Sequence, residues 1–142
     1  MTLPDSIRSA PAATETTVIN AQPIVAGANK LSAEVITNGR REAIVTVSIT
    51  PGSSTTGYVE VYALLAGSGG IYPDGGDSID PSAPDALLGI ISLINGTSAH
   101  VGTFHLRGLL APTLKVLIKS EAGDTVTATV TVELVDVTIQ DE

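Results

Sequence analysis

The chain has 142 residues, 43% of them hydrophobic, with no cysteine and a formal charge of −8 from seven basic and fifteen acidic side chains. That length makes one domain with enough core to stand without staples, and the lack of cysteine excludes disulfides, zinc ribbons and thiol nucleophiles. The acidic balance, with Arg40-Arg41 the one adjacent basic pair, excludes nucleic acid as a partner, because such binding depends on clustered cations that neutralise phosphates.

Residues 1–16 are small and polar, with prolines at 4 and 11 and no apolar periodicity. They read as an extended N-terminal arm with no core of its own, ahead of a domain over 17–142. The arm has neither the basic start nor the apolar stretch of a secretion signal, so a soluble chain made in a cytoplasm is expected, wherever it ends up. Weak strand signals follow near 17–25 and 31–37, with a turn at "NGRRE" from residue 38. The first strong signal is "EAIVTVSIT", residues 42–50, where Ala43, Val45, Val47 and Ile49 share one face against Ile44, Thr46, Ser48 and Thr50. Period two with β-branched residues means a strand with one dry and one wet face.

After the turn "TPGSSTTG", "GYVEVYALLA" at 57–66 sets Val59, Val61, Ala63 and Leu65 against Tyr58, Glu60, Tyr62 and Leu64. The stretch "IYPDGGDSIDPSAPDALLG", residues 71–89, then breaks the pattern. Strand signals resume near 87–94 and 99–107, and "APTLKVLIKS" at 111–120 aligns Leu114, Val116 and Ile118 against Lys115, Leu117 and Lys119. Last comes "TVTATVTVELVDVTI", 125–139, with Val126, Ala128, Val130, Val132 and Leu134 alternating with threonines and Glu133. About eight strands joined by turns, with no helical period, predict an all-β antiparallel sandwich, with a jelly roll as its candidate topology. The longest nearly apolar run, "ALLGIISLI" at 86–94, spans nine residues. A membrane helix needs about 20, so no membrane association is expected.

Chemistry is sparse. His100 and His105 are the two imidazoles, and five positions apart on a strand they point to opposite faces, so they do not chelate one metal. No nucleophile elbow, phosphate loop or dinucleotide fingerprint is present. Strand carboxylates such as Glu60 and Glu133 fall on wet faces. The chain therefore reads as a non-enzyme without a cofactor. The one candidate site is the acidic loop, where Asp74, Asp77, Asp80 and Asp85 cluster. Calcium takes about six to eight oxygen ligands, which makes these four weak calcium candidates, but their spacing departs from an EF-hand. Asp, Gly and Pro also build exposed turns, and a loop this long on a compact sandwich is more often functional than idle. The favoured reading is a partner-contact surface made by Tyr72, Asp74, Asp77 and Asp80.

The run of "GYVEVYALLA", "YPDGGDSIDPSAPDALLG", "HVGTFHLRGL" and "LLAPTLKVLIKSEAGDTV" resembles small accessory virion proteins of tailed bacteriophages, of the capsid decoration, or cement, type. The resemblance covers somewhat over half of the chain, Tyr58 to Val135. It implies a β-sandwich on the outer surface of a virion shell, bound to the major capsid protein and to itself, as a trimer. The arm, a sheet edge and the acidic loop would share the contacts across capsomer junctions. A glycan- or receptor-binding module of a head or tail fibre is the second reading. It requires an exposed ring, for which Tyr72 is the candidate.

Overall fold

The computed structural model describes residues 14–67, 72 and 87–135. Nine strands run through them: β1 (Thr14–Ile24), β2 (Asn29–Leu31), β3 (Val35–Ile36), β4 (Glu42–Pro51), β5 (Thr55–Leu65), β6 (Leu87–Gly96), β7 (His100–Arg107), β8 (Thr113–Ala122) and β9 (Val126–Val135). One sheet has the order β1-β9-β4-β7 and the other β2-β8-β5-β6, with β3 also on β8. Every pairing is antiparallel. If β2 and β3 are counted as one interrupted strand, chain neighbours alternate between the sheets except for β5 and β6, which pair within one sheet, and the strands form two interleaved Greek keys. The fold is a jelly roll.

The period-two strands form the walls of the core. Val45, Val47, Ile49, Val59, Val61, Leu114, Val116, Ile118, Val130 and Val132 are all fully buried between the sheets. The partners of the alternation, Thr46, Ser48, Thr127, Thr129 and Thr131, face outward and are half-buried. The open side between edge strands β6 and β7 is closed by side chains fitted to glycines. Phe104 lies over Gly89, where an added Cβ would stand 2.5 Å from the ring, and Ile91 lies over Gly102 at 3.0 Å.

The second sheet departs from the sequence reading. Tyr62, Leu64 and Leu117, assigned above to wet faces, are buried with Ala66 and Tyr72 in a separate cluster that Leu31 joins. This part of the outer face is dry because Tyr72 covers it, a tertiary contact that no local alternation encodes. Leu65, assigned to the core face, is 37% exposed at the last position of β5. Residues 14–16, placed in the arm by the sequence, belong to β1 and pair with Leu134, Glu133 and Val132.

The interruption between β2 and β3 is repaired by a side chain. Ser32 is buried; its N–H donates to the Val116 carbonyl and its Oγ accepts from the Val116 N–H, both at 2.8 Å. The side-chain oxygen thus takes the acceptor role that a continuous strand would supply.

Candidate functional site

The register assigns each connection to one end of the sandwich. Thr14 pairs with Leu134, Glu42 with both Val135 and Arg107, and Leu65 with Leu114. The start of β1, the end of β9 and the links β3–β4, β5–β6 and β7–β8 therefore share one end. The opposite end holds the turns at 25–28, 52–54, 97–99 and 123–125. Those turns are tight. Ser53 Oγ donates to Asp124 at 2.6 Å, and Asp124 also accepts from the Thr125 N–H at 2.7 Å, so its carboxyl is held below the ordinary range.

The residues flanking the acidic loop, Gly67 and Leu87, lie at the first end. Asp74, Asp77, Asp80 and Asp85 fall outside the described residues, as does the arm up to residue 13. Among the described residues no group of three or more His, Asp or Glu could hold a metal ion. Thr14, where β1 starts, and the flanks Gly67 and Leu87 of the acidic loop lie at the same end of the domain.

Tyr72 is described, and it is not the exposed ring that the glycan reading requires. It is 7% exposed. Its hydroxyl lies 2.6 Å from Glu34 Oε2 and 2.7 Å from Thr113 Oγ1. One phenol carries one hydrogen, so that hydrogen goes to the carboxylate and Thr113 donates to the phenol oxygen. Lys115 Nζ sits 4.6 Å from the ring centre, a cation–π contact. Tyr72 thus pins the start of the acidic stretch to β8 and to the β2–β3 break. Burial first, then the bond to Glu34, pushes the Tyr72 hydroxyl up to about 12. Tyr62, hydrogen-bonded to Glu60, is pushed up to about 12 as well, again mainly by burial.

This pair sets an alkaline limit. Below pH ~10 both tyrosines are protonated whether the chain is folded or not. Above it the unfolded chain releases these protons while the folded chain keeps them, so stability falls as pH rises toward about 12. Melting temperature followed by circular dichroism should decline across that window. The decline should be shallower in Tyr62→Phe/Tyr72→Phe, which has no such protons to hold; equal slopes would remove the tyrosines as its cause.

His100 and His105 lie on β7 with opposite side-chain directions, as their spacing required. His105 is exposed, and His100 Nε2 accepts the Ile94 N–H at 3.2 Å. Neither belongs to a group of three or more metal-ligating side chains among the described residues.

Two features at the surface were not assigned from sequence. The first is a cleft of about 400 Å³ at the end that carries the arm, lined by Thr37, Arg40, Arg41, Leu109, Leu110 and Pro112. Asn38 and Gly39, in the turn beside it, have φ of 52° and 74°, and Arg40 N–H returns to the Thr37 carbonyl at 2.9 Å. Two positive-φ residues inside one hydrogen-bonded turn make the type I′ geometry that Asn-Gly favours. That turn delivers Arg40 and Arg41 to the rim. The second feature is the edge strand β6. Its sequence LLGIISLING has no ionisable residue and no proline, and Leu87, Ile90 and Ile94 are 38%, 53% and 73% exposed. Exposed Tyr58 pairs with Ser92 beside it.

No protein-family profile matches the sequence, and no curated protein is similar to it. Solved structures share its fold at low identity. The structure of Triatoma virus is similar over 98% of this chain and 71% of that one, with 8% identity and a TM-score of 0.52. The CBM36-1 domain of a multidomain xylanase from the hindgut metagenome of Trinervitermes trinervoides is similar over 86% and 96%, with 9% identity and a TM-score of 0.51. A carbohydrate-binding module CBM36 in complex with calcium and xylotriose is similar over 83% and 97%, with 9% identity and a TM-score of 0.50. Likeness at this identity is a likeness of fold: this jelly roll is of the kind found in a virus and in carbohydrate-binding modules.

Proposed function

We propose that the chain is a non-catalytic accessory protein of a virion, of the capsid decoration type, which binds the outer surface of the major capsid shell and assembles with itself as a trimer. The observation that carries this reading is the polarity of the domain. One end gathers the origin of the arm, both flanks of the acidic loop and the arginine cleft, while the other end is closed by tight turns. A domain built this way presents one end to a large surface and keeps its flank for neighbours. The charge-free strip on β6 is the sheet edge suited to self-association. A long apolar edge without Lys, Pro or a bulge at its centre is one that solitary proteins avoid.

The glycan-binding alternative draws less support. It needs an exposed aromatic beside the acidic loop, and the tyrosine in that place is buried against β8.

Co-sedimentation with expanded empty shells tests the reading. The full chain should pellet with shells at saturable stoichiometry. Removal of residues 1–13 should weaken that binding about tenfold or more, the scale of one lost anchoring segment, while leaving the melting temperature unchanged because β1 begins at Thr14. A chain that never pellets, or that binds a polysaccharide instead, would reject the shell as partner.

A further inference from the structure

We propose that the cleft between the β3–β4 and β7–β8 turns is a carboxylate-binding site, which takes an acidic side chain of a peptide segment from a partner protein. The inference goes beyond the decoration reading and does not depend on it.

The cleft's walls are fixed. Thr37 is buried, its N–H donates to the Pro112 carbonyl at 2.9 Å and its Oγ1 donates to the Ala111 carbonyl at 2.7 Å. The Leu109 N–H donates to the Arg41 carbonyl at 2.8 Å. Both turns are therefore tied to each other by backbone groups, and the volume lies in the range of about 300–1,000 Å³ typical of ligand sites. Preorganised walls of this kind lose little freedom on binding.

The chemistry is that of an anion site. Arg40 Nη1 is buried and has no hydrogen-bond partner among the described residues. A buried guanidinium hydrogen without an acceptor is costly, and the acceptor that best satisfies the planar fork is a carboxylate or phosphate oxygen pair. Arg41 lines the same cleft. These two cations stand together on a chain whose formal charge is −8. The general field of the protein repels anions, so affinity here comes from the cleft itself. The apolar part of the lining selects among anions. Leu109 is buried, Leu110 is 83% exposed and Pro112 is exposed. A bare inorganic anion makes no use of that rim, whereas the aliphatic neighbours of an Asp or Glu in a peptide cover it.

The test is a calorimetric titration of the full chain with the blocked peptide Ac-Leu-Asp-Glu-Leu-NH2, beside its amide counterpart Ac-Leu-Asn-Gln-Leu-NH2, a glucuronate trisaccharide and inorganic phosphate. The acidic peptide is expected to bind in the sub-millimolar range and its amide counterpart about tenfold more weakly or worse, the loss of one charge-assisted pair. Arg40→Gln should weaken the acidic peptide by at least about tenfold, and Arg40→Lys by several-fold because charge without the fork recovers only part of the interaction. Arg40 is half-exposed, so both variants should melt with the parent chain, which separates lost binding from lost fold. Three results would overturn the proposal: no heat from the acidic peptide at millimolar concentration, equal affinity for Arg40→Gln, or tighter binding of phosphate or glucuronate than of the peptide.

Discussion

Gly57→Val is expected to destabilise the fold by about 3–5 kcal/mol and to lower its melting temperature by roughly 10–20 °C. Gly57 lies where β5 shifts register against β6, and it pairs with Ala122 on β8. Its φ is +110°, outside the range of L side chains, and a Cβ there would stand 2.4 Å from the Glu121 carbonyl oxygen and 3.0 Å from Ala122 Cα. Both obstacles are backbone. No rotamer change relieves them, so β5 and β8 must separate, and these two central strands carry Val59, Val61, Val116 and Ile118 into the core. Gly27→Ala supplies the comparison. Gly27 also has a positive φ, +77°, but nothing lies within 4 Å of its missing Cβ, so only the backbone preference is lost, about 1 kcal/mol. Chemical denaturation of the two variants separates the terms. If both cost the same, the close approach at β8 is not what Gly57 is for.

The register shift at Gly57 marks the limit of what the sequence discloses about this fold. Strands 42–50 and 125–135 are plain in the chain because valine and threonine alternate strictly there, and such alternation is the signature of a sheet with one dry face. The same logic misassigns Tyr62, Leu64 and Leu117. Their side of the sheet is wet along most of its length and dry under Tyr72, and periodicity has no term for a distant residue that folds over a sheet. β6 hides itself in another way. In LLGIISLING both faces are apolar, so the run reads as a weak strand near 87–94, but the alternation that would announce an exposed Ile90 and Ile94 is absent.

The candidate site shows the same division. The acidic loop was conspicuous as a cluster along the chain, while the arginine cleft is a cluster only in space. Arg40-Arg41 registers in the sequence merely as an isolated basic pair, and Leu109, Leu110 and Pro112 as part of a turn. The jelly-roll crossing places the β3–β4 link beside the β7–β8 link, and Thr37 bonds them together. The Asn-Gly pair was the usable signal, since it fixes a tight turn and so fixes where the following two arginines emerge.

Ile90→Lys/Ile94→Lys is expected to convert the proposed trimer into a monomer without unfolding it. On the decoration reading, the strip formed by Leu87, Ile90 and Ile94 with Tyr58 packs against neighbouring copies. Those side chains are 38% to 73% exposed in the single chain, so burying each isoleucine on assembly yields about 1–2 kcal/mol, part of the full transfer value. Every copy in a closed trimer contributes the strip, so the loss repeats at each interface. The lysines also add charge where a neighbour of the same sequence presents none. Two such losses of about 1.4 kcal/mol each already weaken an interface a hundredfold. Within the monomer these side chains project from the outer face of an edge strand, where substitutions cost within about 0.5 kcal/mol, and the melting temperature should hold. Light scattering coupled to size exclusion reads the outcome directly: a parent of three chain masses, unchanged between calcium and chelator, and a variant of one. A parent already monomeric at high micromolar concentration would remove self-assembly from the proposed function. Association that persists in the variant would move the contact away from β6, to one of the other three edges of the two sheets. Those edges carry protections that β6 lacks, namely Pro23 of β1, the break between β2 and β3, and the exposed His105 and Arg107 of β7. The strip on β6 is therefore where an assembling copy meets the least resistance.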